Sequence, residues 1–289
     1  MNVALVGSTG YIAGYLIKRF EKNSSIEKIL KIDCTDDADE YLNLQEAEKF
    51  DYDRLKDIDF IVFTAAISGP DKCASDYEFC WSVNVTGSAY FIAQAIKRKC
   101  RVLFFSSDAV FGDIPGEVYT EKSETKAFTP YGRMKKAIED QFKNDKCFKA
   151  IRLSYVVSRR DRFVSYCLDC ISKGEKADVF HPFYRNCITI NDVADIVMWF
   201  AEHWGEYREP VLNAAGKELV SRVRIADELN RHMGNRLKYT ISYPEDRFYQ
   251  NRPKITQMKS LYMQKYHILE EKSFTEKIKK ELEDIRNEY

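Results

Sequence analysis

The first fourteen residues, MNVALVGSTGYIAG, constrain the fold more than any other stretch of the chain. Val3, Ala4, Leu5 and Val6 form a short apolar run without alternation, the pattern of a central parallel strand covered on both faces. Gly7, Gly10, Ala13 and Gly14 follow at intervals that let the backbone turn sharply, and Tyr11 to Phe20 reads as an amphipathic helix. A helix that starts there points its unpaired N–H groups and the positive end of its dipole at whatever sits above the strand, which suits a pyrophosphate. The spacing Gly7-x-x-Gly10-x-x-Ala13 has one more residue between the first two glycines than the common G-x-G-x-x-G fingerprint. Glycines at a helix start also serve close packing alone, so the rest of the chain has to decide between the two uses.

Ile29 to Ile32 is a second short strand with Asp33 at its end. An acid about 20 residues beyond such a turn accepts hydrogen bonds from an adenosine ribose, and its charge repels a 2'-phosphate. That points to NAD rather than NADP. The competing reading is a solvent-facing loop acid, one of Asp33, Asp36, Asp37 and Asp39. Tyr41 to Leu44 is a candidate third strand, with Asn43 at its end near an adenine. Ile58 to Ala66 is a largely apolar strand with a small-residue end, where backbone and cofactor can approach each other. Phe79 to Lys97 reads as one long helix with Asn84 early in it. Val102 to Phe105 is a further strand that stops at Ser106-Ser107-Asp108. Strands separated by helices in this manner give an α/β fold with a doubly wound parallel sheet.

Thr129-Pro130 is a helix start, a capping hydroxyl followed by proline at the first helical position. Tyr131 and Lys135 follow at a spacing of four, so they project from one helix face a turn apart. Such a pair is common by chance. It becomes informative beside Ser107, which sits at the C-terminal end of a sheet strand, where ligands of open α/β sheets bind.

Composition excludes several classes. Formal net charge is zero with acids and bases evenly mixed, so no electrostatic footprint for nucleic acid stands out. No apolar run approaches the ~20 residues needed to cross a bilayer, and the first strand starts with no cleavable signal before it, so a soluble cytoplasmic protein is expected. The charged segment Lys265 to Tyr289 reads as solvated helix faces. The eight cysteines are too sparse for a disulfide scaffold. Cys167 and Cys170 form a C-x-x-C inside a helical pattern, Phe163 to Ile171. They lack a second pair or neighbouring histidines, so they read as structural and no metal site is expected.

Taken together, these segments resemble the extended short-chain dehydrogenase/reductase family of nucleotide-sugar epimerases, dehydratases and reductases. The resemblance is carried by Gly7-Ser-Thr-Gly-Tyr-Ile-Ala, Thr64-Ala-Ala, Val83-Asn-Val-Thr-Gly, Phe105-Ser-Ser-Asp-Ala-Val-Phe-Gly, Tyr131-Gly-Arg-Met-Lys and Ile151-Arg-Leu-Ser. Arg185-Asn-Cys-Ile-Thr-Ile-Asn-Asp-Val-Ala and Leu212-Asn-Ala-Ala-Gly extend it. Ser-Ser-Asp-Ala-Val-Phe-Gly and the late Arg252-Pro253 are most similar to the dTDP-4-dehydrorhamnose reductase branch. Ala13 and the segment His181-Pro-Phe-Tyr-Arg depart from the usual pattern, and the second leaves the substrate open.

The resemblance implies a Rossmann domain over 1–155, rejoined by about 188–216. It implies a smaller C-terminal α/β substrate domain from 156–187 and 217–289. Cofactor contacts would come from Gly7, Thr9, Gly10, Tyr11, Ile12, Asp33, Asn43, Leu44, Ala65, Ala66, Asn84, Tyr131 and Lys135. Ser107, Tyr131 and Lys135 would be catalytic, reducing a 4-keto sugar or, reversed, oxidising an alcohol. Tyr131 would supply the proton, with the Lys135 ammonium favouring its phenolate. Ser107, Arg185 and Arg252 would hold a nucleotide sugar, the arginines at its diphosphate. Asp108 followed by Ala109 lacks the acid pair of a 4,6-dehydratase, while a 4-epimerase stays open. A non-catalytic dinucleotide-binding regulatory subunit is the alternative of another class, disfavoured because both Tyr131 and Lys135 are kept. The family also implies a homodimer through helices Phe79 to Lys97 and Pro130 to Lys143.

Overall fold

In the computed structural model, which describes residues 1–283 and 285, the strands read from the sequence join others in a seven-stranded parallel sheet. In chain order these are β1 (Asn2–Val6), β2 (Lys28–Asp33), β3 (Glu40–Tyr41), β4 (Phe60–Phe63), β5 (Arg101–Ser107), β6 (Phe148–Leu153) and β7 (Val211–Ala214). They lie side by side as β3-β2-β1-β4-β5-β6-β7, with helices flanking the sheet. Val3, Ala4, Leu5 and Val6 are at most 1% exposed, and Phe60 to Phe63 are fully buried, so neither face of these strands meets water. Each large apolar side chain so enclosed contributes roughly 1.5–3 kcal/mol. The order reverses between β1 and β4, each of which is followed by a turn. That is the switch point where an open α/β sheet leaves a crevice outside the carboxyl ends of its strands.

The chain forms two units. The first comprises Met1–Gly112, Glu124–Arg152 and Ile196–Leu212, and holds nearly all of this sheet. The second comprises Asp113–Ser123, Leu153–Asp195 and the chain from Asn213 onward. The segment Asp113–Ser123, expected in the first domain, joins the second because Val118 and Tyr119 pair with Gln257 and Met258. Residues 188–195 likewise fall in the second unit rather than with the sheet. That unit has a four-stranded sheet ordered Val220–Ser221, Tyr184–Arg185, Ile255–Met258, Val118–Tyr119. Its core gathers Phe163, Cys167, Leu168 and Cys170 with Phe274, Ile278, Leu282 and Ile285, so the C-x-x-C pair is a packing element and the charged segment also buries an apolar face. The final part of the expected substrate domain and of the charged segment, residues 284 and 286–289, lies outside the described residues.

Two local expectations give way. The helix expected over Phe79 to Lys97 is broken into Tyr77–Trp81, a π-helical turn Ser82–Gly87, and Ser88–Lys97. The strand expected over Tyr41 to Leu44 ends at Tyr41, and Asn43 instead caps a 3₁₀ turn, Leu44–Lys49, by accepting from Gln45 N. A Cβ on Gly87 would stand 1.7 Å from the Leu44 carbonyl oxygen, so the two segments meet here backbone to backbone.

Candidate active site

The glycine turn is built against β4. Gly7 has φ +83, and a Cβ there would lie 2.7 Å from both Cα and N of Ala65, so the position excludes any side chain twice over. Gly7 N donates to the Ile32 carbonyl at 2.9 Å, while Ala65 N and the Thr64 hydroxyl both donate to the Val6 carbonyl. The turn is thereby tied to β2 on one side and β4 on the other. Helix Tyr11–Phe20 follows with Gly10 as its N-cap, and neither a capping side chain nor a first-turn acid satisfies its leading N–H groups. The Ser8 hydroxyl is also buried in this turn without a partner.

Beside the turn lies a cleft of about 550 Å³, in the range of small-molecule and cofactor sites. Of the residues expected to bind a cofactor, Gly7, Thr9, Gly10, Asp33, Asn43, Leu44, Ala65 and Ala66 line it. Tyr11, Ile12, Asn84, Tyr131 and Lys135 do not; Tyr11 is 41% exposed, and Tyr11 and Ile12 have their backbone N–H groups to offer a phosphate. Thr64, Ile67, Phe79 and Cys34 are also in its wall. Only Thr64 carried a signal in the sequence, since the others are ordinary apolar or small residues until the fold brings them together.

Asp33 ends β2 facing the turn. Its Oδ2 accepts from both the backbone N and the hydroxyl of Thr9 at 2.8 Å, and its Oδ1 accepts from Cys34 N at 2.7 Å. Burial works to raise its carboxyl, but the hydrogen bonds from Thr9 and Cys34 outweigh it and hold the group below its ordinary value. Asp33 is therefore a fixed negative charge at the rim of the cleft, with a lone pair left over on Oδ1.

Asn84 is buried, and its amide is engaged by protein. It accepts from Ile67 N at 2.8 Å, donates to the Ile67 carbonyl at 3.0 Å, and sits 3.5 Å from Met134 Sδ. It fixes the loop after β4 that forms one wall of the cleft.

Ser107, Tyr131 and Lys135 all belong to the first unit. The Thr129 hydroxyl accepts from Gly132 N, starting helix Pro130–Phe142 as expected. A Cβ on Gly132 would stand 2.0 Å from the Ala109 carbonyl oxygen, so the helix start is pressed onto the turn that follows Ser107. This close approach sets Tyr131 beside Ser107-Asp108-Ala109. The Ser107 hydroxyl donates to Asp108 Oδ1 at 3.0 Å and accepts from Ala109 N at 3.2 Å. Lys135, only 3% exposed, donates to the Phe105 carbonyl at 2.7 Å and stands 5.7 Å from the centre of the Tyr131 ring.

The electrostatics differ from the expected acidified phenol. Burial pushes the Tyr131 phenol up, with Cys73 and Asp108 adding to the shift. Burial also draws the Lys135 ammonium down to about 7, against the opposing pull of Glu139 and Cys73. With every one of these effects raising the phenol, Tyr131 holds its proton at neutral pH. A protonated phenol is the form that donates to a carbonyl oxygen.

Arg185 and Arg252 lie in the second unit. Arg185 is buried, with its guanidinium donating to the carbonyls of Tyr184 and Pro253 and stacked on Phe183. Through Pro253 it reaches the segment of Arg252, which lies over the Phe248 ring. The two expected phosphate ligands are therefore neighbours in the fold, although much of Arg185 is occupied by backbone.

Among the described residues no group of three His, Cys, Asp or Glu could hold a metal ion, and no helix is long and apolar enough to cross a membrane. A family model described as the RmlD substrate binding domain matches residues 1–287. No curated protein sequence matches the chain. Among solved structures, a dTDP-4-dehydrorhamnose reductase from Clostridium acetobutylicum is similar with a TM-score of 0.85 and 18% identity, over 99% of this chain and 100% of that one. MoeE5 in complex with UDP-glucose and NAD gives a TM-score of 0.83 and 20% identity, over 100% and 99%. A dTDP-4-dehydrorhamnose reductase from Bacillus anthracis in complex with NADP gives 0.81 and 16%, over 98% and 99%.

Proposed function

The chain belongs to the RmlD substrate-binding domain family, and from that membership and the geometry of the cleft we propose that it is an NAD-dependent oxidoreductase that reduces the 4-keto group of a nucleotide-linked sugar. The observation that carries the reading is the seating of Gly132 on the Ala109 carbonyl, which sets Tyr131 and Lys135 at the serine end of β5, next to the strand end whose loop walls the cleft. The glycine turn, the uncapped helix start and the 550 Å³ cleft fit a dinucleotide, with Asp33 at its adenosine ribose. Asp33 supports NAD over NADP, because a fixed carboxylate there repels a 2'-phosphate.

A bound dihydronicotinamide supplies the hydride that reduces the carbonyl carbon. The remaining steps belong to the protein. The Ser107 hydroxyl turns from Asp108 to the substrate oxygen and orients it. Tyr131 donates its proton to that oxygen as the hydride arrives, so the ketone becomes an alcohol and the phenol a phenolate. The Lys135 ammonium, a turn along the same helix, stabilises the phenolate at that moment. Arg185 and Arg252 are assigned to the diphosphate. We further assign the protein to the cytoplasm and to a homodimer through Ser88–Lys97 and Pro130–Phe142.

The test is NADH oxidation with dTDP- and UDP-linked 4-keto-6-deoxy sugars. Tyr131→Phe should lower kcat by roughly 10²–10⁴-fold, the usual worth of a positioned proton donor, while leaving NADH binding intact. Interconversion of UDP-glucose and UDP-galactose without net NADH use would point to the epimerase. NAD binding with no turnover on any of these would favour the regulatory subunit.

A further inference from the structure

A second cavity, of about 640 Å³, opens at the opposite edge of the main sheet, beside the N-terminal ends of β6 and β7. Its floor is Lys149, which is 7% exposed. The ammonium donates to the Tyr207 carbonyl at 2.5 Å and stands 4.9 Å from the Trp204 ring centre and 5.4 Å from that of Tyr207. Among the described residues no carboxylate lies within ion-pairing distance of it. A buried ammonium held by one carbonyl and two aromatic faces is under-compensated, since charges removed from water normally find a counter-charge. Desolvation accordingly lowers its pKa to about 8, with Glu209 the acid acting against that shift.

The walls point to what would supply the missing charge. Lys146 and Arg208 are exposed at the mouth, while Lys143 is committed to Asp140 at 3.1 Å. Two acids also face the cavity, Glu209 and Asp145, and Asp145 already accepts from Cys147 N at 2.8 Å. The frame is stiff, because the Trp204 indole donates to the Lys146 carbonyl and the Tyr207 hydroxyl to the Val211 carbonyl. The space exceeds that of a bare anion and fits a metabolite of modest size. We propose that this cavity binds a small phosphate-bearing metabolite, with the Lys149 ammonium as its central cation and Lys146 and Arg208 at its mouth. The site is separate from the glycine-turn cleft, and its occupation does not depend on the reaction carried out there.

The test uses the full chain and two probes, inorganic phosphate and glucose 1-phosphate, with sodium acetate as control. Trinitrobenzenesulfonate labelling of each lysine is followed by peptide mass spectrometry. Either phosphate probe, at about four times its Kd, should slow labelling of Lys149 roughly fivefold and leave Lys97 unchanged, acetate having no effect. Slowing by glucose 1-phosphate alone identifies the organic part as required. In parallel, both probes should raise the melting temperature of the parent more than that of Lys149→Met. Unchanged labelling at Lys149 with both probes, or an equal melting shift in Lys149→Met, overturns the proposal. If the parent amine is too enclosed to label, the melting comparison decides alone.

Discussion

Lys135 is a cation in a place that disfavours cations, and its behaviour separates stability from function. Burial lowers its pKa to about 7 from 10.5, so between those values the unfolded chain holds more protons than the folded one, and stability on this account rises with pH across that window. Below pH 7 the folded protein carries the whole cost of the buried charge. Lys135→Met should therefore raise stability at pH 6 by roughly 1–3 kcal/mol after loss of the Phe105 hydrogen bond, and the gain should fade toward pH 10. The same variant should have no measurable turnover. Thermal melts from pH 6 to 10 decide it, and a variant melting below the parent at pH 6 would mean that the Phe105 contact outweighs the desolvation. Asp33 supports a second residue-scale prediction. Asp33→Ala removes the fixed charge and the Thr9 contacts, so the ratio of kcat/KM for NADPH to that for NADH should rise about tenfold or more. An unchanged ratio would show that Asp33 serves only to brace the glycine turn.

At the scale of elements, the site depends on backbones in closer contact than any side chain allows. Gly132→Ala places a methyl where the Ala109 carbonyl stands, 2.0 Å away, so the helix start must move off the Ser107 turn. We expect a loss of about 1–3 kcal/mol in stability from the overpacking, and a fall of about 100-fold in kcat from the misplaced phenol. Kinetics and melting of this one variant check both numbers, and full activity would mean that the helix start is free to shift. The sequence made the helix legible, because Thr129-Pro130 and the Tyr131/Lys135 spacing are local signals. It did not reveal what Gly132 is for, since that depends on a carbonyl 23 positions earlier. The same limit hid the π-helical turn at Ser82–Gly87: the periodicity of Phe79 to Lys97 suits one helix, and the close approach of Gly87 to Leu44 is a contact across 43 positions. Asn84, in that turn, is expected by position near a cofactor, and its amide is held by the Ile67 backbone, a contact no local pattern announces.

For the molecule as a whole, the doubly wound parallel sheet was legible because apolar runs alternate with helices, whereas membership of the second unit was not. Asp113–Ser123 joins that unit through Val118 and Tyr119, a two-residue strand with no periodicity to detect, paired about 140 positions away. The buried network in the first unit was equally invisible. Glu139 and Arg152, 5% and 6% exposed in their side chains, form a bidentate pair at 2.6–3.1 Å, with Ser106 donating to Glu139 and Arg152 lying over Phe111. Glu139 follows Tyr131 and Lys135 on one helix face at successive steps of four, so the pair ties the helix that carries them to β5 and β6. Removing one partner leaves the other charge buried and alone. Arg152→Met should cost about 3–5 kcal/mol in global stability, while Glu139→Leu/Arg152→Met, which removes both charges, should recover most of it. Urea unfolding of the parent, both single variants and the double variant closes the cycle. If the double variant is as unstable as the sum of the singles, the two residues act independently, and the network does not anchor the helix that carries Tyr131.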